Sequence, residues 1–381
     1  MAYRIGMSAP EISEDDIDAV VRVLRSGQLS LGPALPVFER AIADYVGVGH
    51  AVAVSSGTAG LHLCIRAAGI GEGDEVVTSP FSFVASANAM LFERAKPVFA
   101  DIDEESLNLD PAATAAAVTA RTRAVLPVHV FGQPCDMDAL DALCATRGLT
   151  LIEDACEAIG AEYRGRRVGG FGQSAVFSFF PNKQITTGEG AVITTDDADT
   201  AEMLRSLRNQ GRDGGGAWLT HERLGYNYRL TDMSAALGLS QMQRADSILD
   251  RRAAVAETYR SLLDAIPGIR LIGPVEGTTR MSWFAAIARL DPEFDRDEVI
   301  AALEARGIPA RAYFAPIHLQ PFYVREFGYG PGDFPVTERV ARSTLALPFF
   351  TTMTEAQVAE VCDAVAQVLG MGAQQRRAAH G

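Results

Sequence analysis

The sequence predicts an α/β protein in which helices flank a mostly parallel sheet, with a smaller α+β part towards the C-terminus. Between about residues 50 and 200, short apolar runs alternate with segments of helical periodicity. Such alternation is typical of βαβ units, whose crossover helices cover both faces of a parallel sheet. After about residue 230, long helical segments dominate and strand-like runs become few. Together these patterns indicate two structural units of unequal size.

The strands of the larger unit are recognised as short apolar runs that end at turn-forming residues. We expect helices between them, and the helix after Asp110 has an Asp cap with Pro111 in its first turn. A helix from Ser13 to about Ser26, capped by Ser13, precedes the first strand. The predicted strands are AVAVSS (51–56), DEVVTS (74–79), KPVFADI (96–102), RAVLPVHV (123–130), TLIEDA (150–155) and SAVFSFF (174–180).

The domain boundaries follow from the change of pattern after residue 230. We expect a large domain over residues 10–250 and a small C-terminal domain over residues 251–370. The small domain contains one strand-like run, SWFAAIARL, and a last helix, TEAQVAEVCDAVAQVLG. The polar and small residues at 371–381 predict a disordered tail.

The composition excludes several classes of protein. The chain carries 48 acidic and 34 basic residues, a net charge of −14, which argues against a nucleic-acid-binding protein. It has no apolar leader segment and no apolar run of about 18 residues, so we expect neither a signal peptide nor a membrane span. The five cysteines are scattered without a CxxC pair, so we expect no disulfide framework and no metal site. A cytoplasmic protein is the simplest interpretation.

Lys183 is unusual because the chain has 34 lysines and arginines, of which only two are lysines. It lies in the loop PNKQITTGEG (181–190), directly after the aromatic strand SAVFSFF. A lysine that is desolvated at a strand end loses its proton more readily and can act as a nucleophile. The alternative is a solvated surface amine. We interpret the other lysine, Lys96, as such a surface residue.

Two further motifs lie where strands are expected to end. In SSGTAGL, Gly57 and neighbouring hydroxyl residues join a strand to a helix, where backbone N–H groups bind phosphate well. In TLIEDACEA, Asp154 ends a strand, and ligands of open α/β sheets bind at such ends. Each motif has a purely structural alternative, a Ser-capped turn in the first case and a helix cap in the second.

The lysine, the acid and the glycine turn together match the three anchors of pyridoxal 5'-phosphate (PLP). In PLP enzymes a lysine forms a Schiff base with the cofactor, and a carboxylate keeps the pyridine nitrogen protonated. The phosphate needs a cradle of backbone N–H and hydroxyl groups. The sequence therefore predicts a PLP enzyme without a metal.

At this point the chain resembles the DegT/DnrJ/EryC1/StrS family of PLP-dependent sugar aminotransferases. The resemblance extends from about Pro10 to Leu369 and implies the aspartate-aminotransferase (fold type I) architecture. It also implies a homodimer with shared active sites. The motifs that carry it, in order, are SSGTAGLHL, FSFVASANA, VHVFGQPCDMDAL, IEDACEAIGA, FSFFPNKQITTGEG, LGYNYRLTDMSAALGLSQM, GIPARAYFAPIHLQPFY and FPVTERVARSTLALPFF.

The resemblance implies roles for individual cofactor-binding residues. Lys183 is expected to bind the cofactor covalently and to shuttle the proton, and Asp154 to pair with the pyridine nitrogen. Phe83 is expected to stack on the ring, although it could be a core residue. Glu157 stands beside the ring, where the family usually has Gln or His. The expected phosphate ligands are Ser56, Gly57, Thr58 and Ser178, together with Asn227 from the other subunit.

The resemblance places three further residues near the substrate. Phe180 stands where the family often has a polar aromatic residue. Arg229 is expected close to the subunit interface, and His318 on the substrate side. Their structural alternatives are an ion pair for Arg229 and a core or surface histidine for His318. For Asn227 the alternative is a simple turn residue.

The function implied by this family is amino transfer from glutamate or glutamine to a keto-sugar, with pyridoxamine phosphate formed between the two half-reactions. A nucleotide-linked 3- or 4-keto-deoxysugar, in amino-sugar biosynthesis, is the expected acceptor. A cyclitol or another carbonyl without a nucleotide is the alternative. Relatives that dehydrate sugars replace the lysine with histidine, so Lys183 favours transamination. A non-enzymatic regulatory homologue is disfavoured because both Lys183 and Asp154 are present.

Overall fold

The structure is a computed structural model that describes residues 3–212 and 220–380, with side chains through residue 370. The helices are α1 (Glu14–Ser26), α2 (Ala34–Val46), α3 (Gly57–Ala67), α4 (Ala85–Leu91), α5 (Pro111–Ala117), α6 (Met137–Arg147), α7 (Ala198–Arg208), α8 (Asp232–Met242), α9 (Ala245–Leu263), α10 (Arg296–Glu304), α11 (Pro321–Phe327), α12 (Pro335–Ser343) and α13 (Glu355–His380). The strands are β1 (His50–Val54), β2 (Glu75–Thr78), β3 (Lys96–Phe99), β4 (Thr122–Leu126), β5 (Thr150–Asp154), β6 (Glu162–Tyr163), β7 (Arg166–Arg167), β8 (Ser174–Ser178), β9 (Ala191–Thr195), β10 (Ile269–Leu271), β11 (Thr278–Arg280), β12 (Ala286–Leu290), β13 (Arg311–Ala312) and β14 (Thr344–Leu347).

The main sheet has seven strands in the order β1-β9-β8-β5-β4-β2-β3. The pairs β2–β3, β2–β4, β4–β5 and β5–β8 are parallel, whereas β9 runs antiparallel to both β1 and β8. Strand β5 is the central strand, and its residues Leu151–Asp154 are all buried. Helices α3, α5, α6 and α7 pack against strands of this sheet. The predicted α/β fold with a mostly parallel sheet is therefore confirmed.

The predicted first helix forms as expected from its N-terminal residues. The Ser13 side chain accepts the backbone N–H of Asp16, and the Asp16 carboxylate accepts the N–H of Ser13 in return. This reciprocal capping box satisfies two donors at the start of the helix. The helix ends at Gly27, whose φ of +73° closes the last turn in the left-handed region.

A second sheet of four strands, β10-β12-β14-β13, is built from residues after 268. Helices α9, α10 and α13 pack against it or one another around a core that contains Tyr259, Leu303, Leu345 and Val361. Helix α9 spans residues 245–263 and belongs to this core. The boundary expected at residue 250 therefore lies inside a helix. In a three-stranded ribbon, β11-β6-β7, strand β11 pairs with β6, which also pairs with β7, and the ribbon so links the two parts of the chain.

Strands β1 and β3 form the two edges of the main sheet. Beyond β1, the backbone of residues 228–229 continues the hydrogen bonding, since Ser55 N–H donates to Tyr228 C=O at 2.8 Å. At the other edge, β3 begins with the exposed Lys96 and continues with Pro97.

The C-terminal residues differ from their sequence-based interpretation. Helix α13 extends to His380 and so includes most of the segment expected as a disordered tail over 371–381. Across the described residues, no helix combines the length and the apolar character that crossing a membrane requires.

Candidate active site

A cavity of about 320 Å³ lies at the carboxyl ends of the central strands. Strand β5 ends at Asp154, the parallel neighbour β8 ends at Ser178, and helix α3 begins at Gly57 after β1. The loop after β8 brings Lys183 to the same edge of the sheet. The lining residues are Ser56, Gly57, Thr58, Leu61, Ser82, Phe83, Ala85, Ser86, Val128, Asp154, Cys156, Glu157, Ser178, Phe180, Asn182, Lys183, Glu189, Tyr313 and Phe314.

Asp154 is held by two donors at the end of β5. The hydroxyl of Ser86 donates to Oδ2 at 2.7 Å, and the backbone N–H of Cys156 donates to Oδ1 at 3.1 Å. The residue is buried but lines the cavity. A carboxylate has about four acceptor positions, so Asp154 keeps capacity for a protonated ring nitrogen.

Lys183 places its amine in the same cavity. Its Nζ lies 3.2 Å from Glu157 Oε1 and 4.0 Å from the centroid of the Phe284 ring. The side chain is 12% exposed, so the amine is largely removed from water. The loop that carries it is fixed by the hydrogen bond from Lys183 N–H to Phe180 C=O at 2.9 Å and by the neighbouring Gln184, which donates to Glu157 C=O at 2.6 Å.

Glu157 is a buried carboxylate that contacts the lysine. Its Oε2 accepts the backbone N–H of Phe131 at 2.9 Å, and its Oε1 faces Lys183 Nζ. Burial raises the pKa of Glu157, and the charge of Lys183 opposes this shift only in part. Glu157 therefore favours its protonated form more than an ordinary glutamate does.

The N-terminus of α3 forms a compact cradle. Ser56 caps the helix by accepting the N–H of Ala59 at 3.1 Å, which leaves the first backbone donors of α3 directed at the cavity. A Cβ added to Gly57 would lie 3.1 Å from Cys156 Sγ and 3.2 Å from Ser178 Cβ. Glycine therefore keeps open the space between helix α3 and strand β8. Thr58 and Ser178 line the same space and supply hydroxyl groups.

Two aromatic side chains stand at the opening of the cavity. Phe83 is 62% exposed and Phe180 is 47% exposed, although both line the cavity. The structure therefore does not place Phe83 in the core, which was the alternative to a ring-stacking role.

Three of the predicted residues lie elsewhere in this chain. Asn227 is exposed and pairs with Asn209 through a backbone bridge, while Arg229 Nη1 donates to Asn209 Oδ1 at 3.0 Å. His318 is fully buried, and its Nε2 lies 3.3 Å from Glu338 Oε1. Burial lowers the pKa of His318 although Glu338 opposes the shift. None of these three residues lines the cavity.

Several lining residues were not predicted. Ser86 follows Phe83 in the motif FSFVAS, so its hydroxyl could have been considered as a partner of Asp154. Tyr313 and Phe314 come from the C-terminal part of the chain, where the order of the elements says nothing about their distance from Lys183. Asn182 and Glu189 flank the lysine in its own loop.

The arrangement fits PLP on the structural evidence alone. The cradle at Gly57 has no room for a side chain, Asp154 has unused acceptor capacity, and the amine of Lys183 is largely shielded from water. These three features lie in a single cavity. Lys183 would hold the cofactor covalently, Asp154 would bind its ring nitrogen, and the cradle would bind its phosphate.

Curated proteins are similar to this chain over nearly its whole length. The chain is 41% identical over 376 residues to the spore coat polysaccharide biosynthesis protein SpsC of Bacillus subtilis (strain 168), covering 95% of this chain and 96% of SpsC. It is 40% identical over 370 residues to the GDP-perosamine synthase of Caulobacter vibrioides, covering 96% and 98% of the two chains.

Solved structures are similar over nearly the whole chain as well. The crystal structure of S. venezuelae DesV in complex with a ketimine intermediate has a TM-score of 0.90 and 39% identity, covering 96% of this chain and 98% of DesV. The crystal structure of 3-amino-5-hydroxybenzoic acid synthase also has a TM-score of 0.90, at 30% identity and with coverage of 97% and 100%. Residues 10–366 match the family described as DegT/DnrJ/EryC1/StrS aminotransferases. The chain therefore belongs to the DegT/DnrJ/EryC1/StrS aminotransferase family, and it is an aminotransferase of fold type I.

Proposed function

We propose that this aminotransferase uses PLP to move an amino group from glutamate or glutamine to a nucleotide-linked keto-sugar. The observation that carries the proposal is the meeting of Lys183, Asp154 and the Gly57 cradle in one cavity. When bound, PLP supplies an electron sink for the carbon that loses or gains a proton. The roles of the chain's own residues follow from their contacts.

Asp154 would orient the ring of the cofactor and supply a negative charge beside its nitrogen. Its carboxylate is fixed by Ser86 and by the N–H of Cys156, and it would accept a hydrogen bond from the ring nitrogen of the cofactor. Its negative charge favours the protonated nitrogen. Because both of its own donors are neutral, the charge of Asp154 stays available for the cofactor.

Lys183 is the group that moves protons. Its amine would accept a proton from the substrate carbon as general base, hold it at Nζ, and give it up again as general acid. The aromatic side chains of Phe284, Tyr313 and Phe314 limit access of water to this amine. Such exclusion protects the transferred proton from exchange with solvent.

The keto-sugar and its nucleotide need more room than the cofactor cavity offers. A second cavity of about 610 Å³ adjoins the first and shares Ser82, Phe83 and Phe314 with it. Phe92, Pro321 and Phe322 also line it, so it presents aromatic and apolar surface to a base or a sugar. The name of the Caulobacter relative, GDP-perosamine synthase, supports a nucleotide-linked sugar as the substrate class.

The proposal includes a cytoplasmic homodimer with shared active sites. Asn227 is exposed and does not line the cavity of its own chain, which supports a role towards a partner subunit. Mixing the inactive variants Lys183→Ala and Asn227→Ala tests this, because each mixed dimer would contain one intact site. Random mixing should restore about a quarter of wild-type activity. No restoration, with dimers exchanging freely, would contradict shared sites.

Reductive trapping tests the cofactor assignment. Borohydride treatment of the purified enzyme should fix PLP to a single peptide that contains Lys183, and the visible absorption should disappear. The chain has one other lysine, Lys96, so peptide mapping distinguishes two positions only. Lys96→Arg should leave the trapped product unchanged, whereas trapping in Lys183→Ala would refute the assignment.

Assays of amino transfer test the substrate class. The enzyme should aminate GDP-linked or other nucleotide-linked keto-sugars when supplied with glutamate or glutamine, and the amino-sugar product can be identified by mass spectrometry. Transfer only to a cyclitol or another carbonyl without a nucleotide would replace this part of the proposal. Loss of water from the sugar without amination would refute transamination.

A further inference from the structure

The amine of Lys183 has two partners that none of the roles above requires. It lies 3.2 Å from Glu157 Oε1 and 4.0 Å from the centroid of the Phe284 ring. Glu157 follows Asp154 by three residues, whereas Phe284 comes from the segment that leads into β12 in the second sheet. The amine thus lies between a carboxylate and the face of an aromatic ring.

Both partners are fixed by the same residue. The N–H of Phe131 donates to Glu157 Oε2 at 2.9 Å, and the C=O of Phe131 accepts the N–H of Phe284 at 3.1 Å. Arg252 also donates to the C=O of Phe284 at 2.8 Å from helix α9. Phe131 itself has a φ of +58°, a left-handed conformation that is uncommon for a residue with a side chain. Such local strain is often retained where a site depends on it.

The chemistry of the proposed reaction creates a need for these partners. A lysine that forms a Schiff base must be released as an amine in each turnover and must then carry a proton. A protonated amine in a nearly closed cavity is costly unless a charge or an aromatic face compensates for it. A nearby carboxylate raises the pKa of such an amine by about 1–3 units and so favours its protonated form.

We propose that Glu157 and Phe284 form a resting site for the released, protonated amine of Lys183. This inference rests on the proposed function only in assuming that the lysine is released during turnover. Glu157 acts here as a positioning residue, because it works through the lysine and holds its proton close to the cavity. The ring of Phe284 keeps the amine directed at the cavity while it carries the proton.

Other titratable groups surround the resting site. Asp154 and Cys156 approach Glu157 from its own segment, and Tyr313 approaches it from the C-terminal part of the chain. Burial raises the pKa of both Cys156 and Tyr313, so both stay neutral at pH 7. Glu157 is therefore the carboxylate hydrogen-bonded to Lys183, while Asp154 and the exposed Glu189 line the same cavity.

The resting site can be tested without any catalytic assay. The full chain is freed of cofactor and labelled with trace acetic anhydride across a range of pH, and the modification of each lysine is measured by mass spectrometry. Exposed Lys96 serves as an internal reference in the same molecule. We expect Glu157→Gln to move the inflection of Lys183 labelling about one pH unit lower, or further. At a fixed pH below the inflection, the ratio of Lys183 to Lys96 labelling should rise about tenfold.

Two further variants separate this effect from a structural one. Phe284→Leu keeps an apolar side chain but removes the ring, and it should shift the inflection in the same direction by a smaller amount. Glu157→Asp retains the charge and should restore part of the wild-type position. A change in access alone would alter the extent of labelling but not the pH of the inflection. An unmoved inflection in Glu157→Gln, with PLP still binding to the protein, would overturn the resting site while leaving the proposed function intact.

Discussion

Glu153 and Glu157 are two buried glutamates four residues apart, and the protein treats them in opposite ways. The carboxylate of Glu153 is surrounded by donors, and because Cys135 N–H donates to Nδ1 of His129, the proton of that ring lies on Nε2 and faces Glu153. Glu157 has one backbone donor and the amine of Lys183. The donors to Glu153 are His129 Nε2 at 3.1 Å and the backbone N–H groups of Gly169, Phe171 and Gly172 at 2.7–2.9 Å.

The contrast appears in how the two side chains titrate. Burial would raise the pKa of Glu153, but His129 and the backbone donors outweigh burial, so its pKa is lowered. Burial raises the pKa of Glu157, and Lys183 offsets this only in part. The difference teaches that a buried carboxylate with a full set of hydrogen-bond donors stabilises the fold. A carboxylate with fewer donors, such as Glu157 at the cavity, remains able to exchange a proton. Asp154, adjacent to Glu153 but on the other face of β5, also lines the cavity and keeps unused acceptor capacity.

The largest expected effect is on kcat/KM, and it should differ between the two residues that lie on opposite faces of β5. Asp154→Asn should lower kcat/KM for amino transfer about 10³-fold, because the charge that stabilises the ring nitrogen is lost. Glu153→Gln should change kcat/KM per folded molecule by less than about threefold, since its side chain does not line the cavity. Steady-state kinetics with active-site titration provides the measurement. A comparable loss of kcat/KM in both variants would contradict the distinction between the two faces of β5.

For the free energy of unfolding, we expect the larger effect from Glu153→Gln and the smaller one from Asp154→Asn. Glu153→Gln should lower the free energy of unfolding by about 3 kcal/mol, because it breaks a buried pair with His129 and weakens several hydrogen bonds. Asp154→Asn should change it by less than about 1 kcal/mol, because the amide oxygen can still accept the N–H of Cys156 while the new NH2 group donates to the rotatable hydroxyl of Ser86. Urea denaturation followed by circular dichroism measures both, and equal destabilisation would contradict the assignment of Glu153 to the fold.

A third change sharpens the comparison on the cavity side. Gly57→Ala places a methyl group within 3.3 Å of Cys156 and Ser178, so the phosphate cradle should narrow and the Kd for PLP should rise about tenfold. Gly330→Ala is a matched control, because a Cβ there meets no atom within 4 Å. Titration of cofactor-depleted protein by absorbance gives both constants. Unchanged affinity in Gly57→Ala would place the phosphate elsewhere.

The smallest expected effect is the pH dependence of stability. A lowered pKa means that Glu153 stabilises the fold above its ordinary value of 4.5 and that this contribution is lost as pH falls. A raised pKa means that Glu157 contributes most below 4.5 and that this contribution is lost as pH rises through the folded-state value.

The two glutamine variants should therefore change the pH profile in opposite directions. Relative to wild type, Glu153→Gln should be most destabilised near pH 7, whereas Glu157→Gln should become more stable than wild type as the pH rises above 4.5. Melting temperatures measured from pH 4 to 8 test this. Parallel curves for the two variants would show that the glutamates do not differ.

Much of the fold could be predicted from the sequence because its signals are local. The alternation of strands and helices indicates a mostly parallel sheet, and the strand ends at Asp154 and Ser178 meet because β5 and β8 are parallel neighbours. The capping residue Ser13 and the glycine at position 57 likewise carry their information within a few residues. That the scarce Lys183 lies in the same cavity agrees with the prediction made from its loop.

The rest depends on contacts between distant parts of the chain. Phe284, Tyr313 and Phe314 reach the cavity from more than 100 residues beyond Lys183, and no periodic pattern encodes such a distance. His318 shows the converse, because a histidine expected on the substrate side lies in the core beside Glu338. Strand β9 itself was not among the predicted strands, and its antiparallel direction depends on its partners β1 and β8 and not on its own residues.

The two edges of the main sheet have a consequence for the behaviour of the protein at high concentration. An exposed edge strand offers unpaired N–H and C=O groups to another chain, and aggregation often begins there. At the C-terminal end of β1 this edge is covered by the backbone at Tyr228, and at β3 the short strand carries Lys96 and Pro97, a charge and a residue without an N–H. The second of the two lysines thus has a use of its own: it stands where a further strand would have to add.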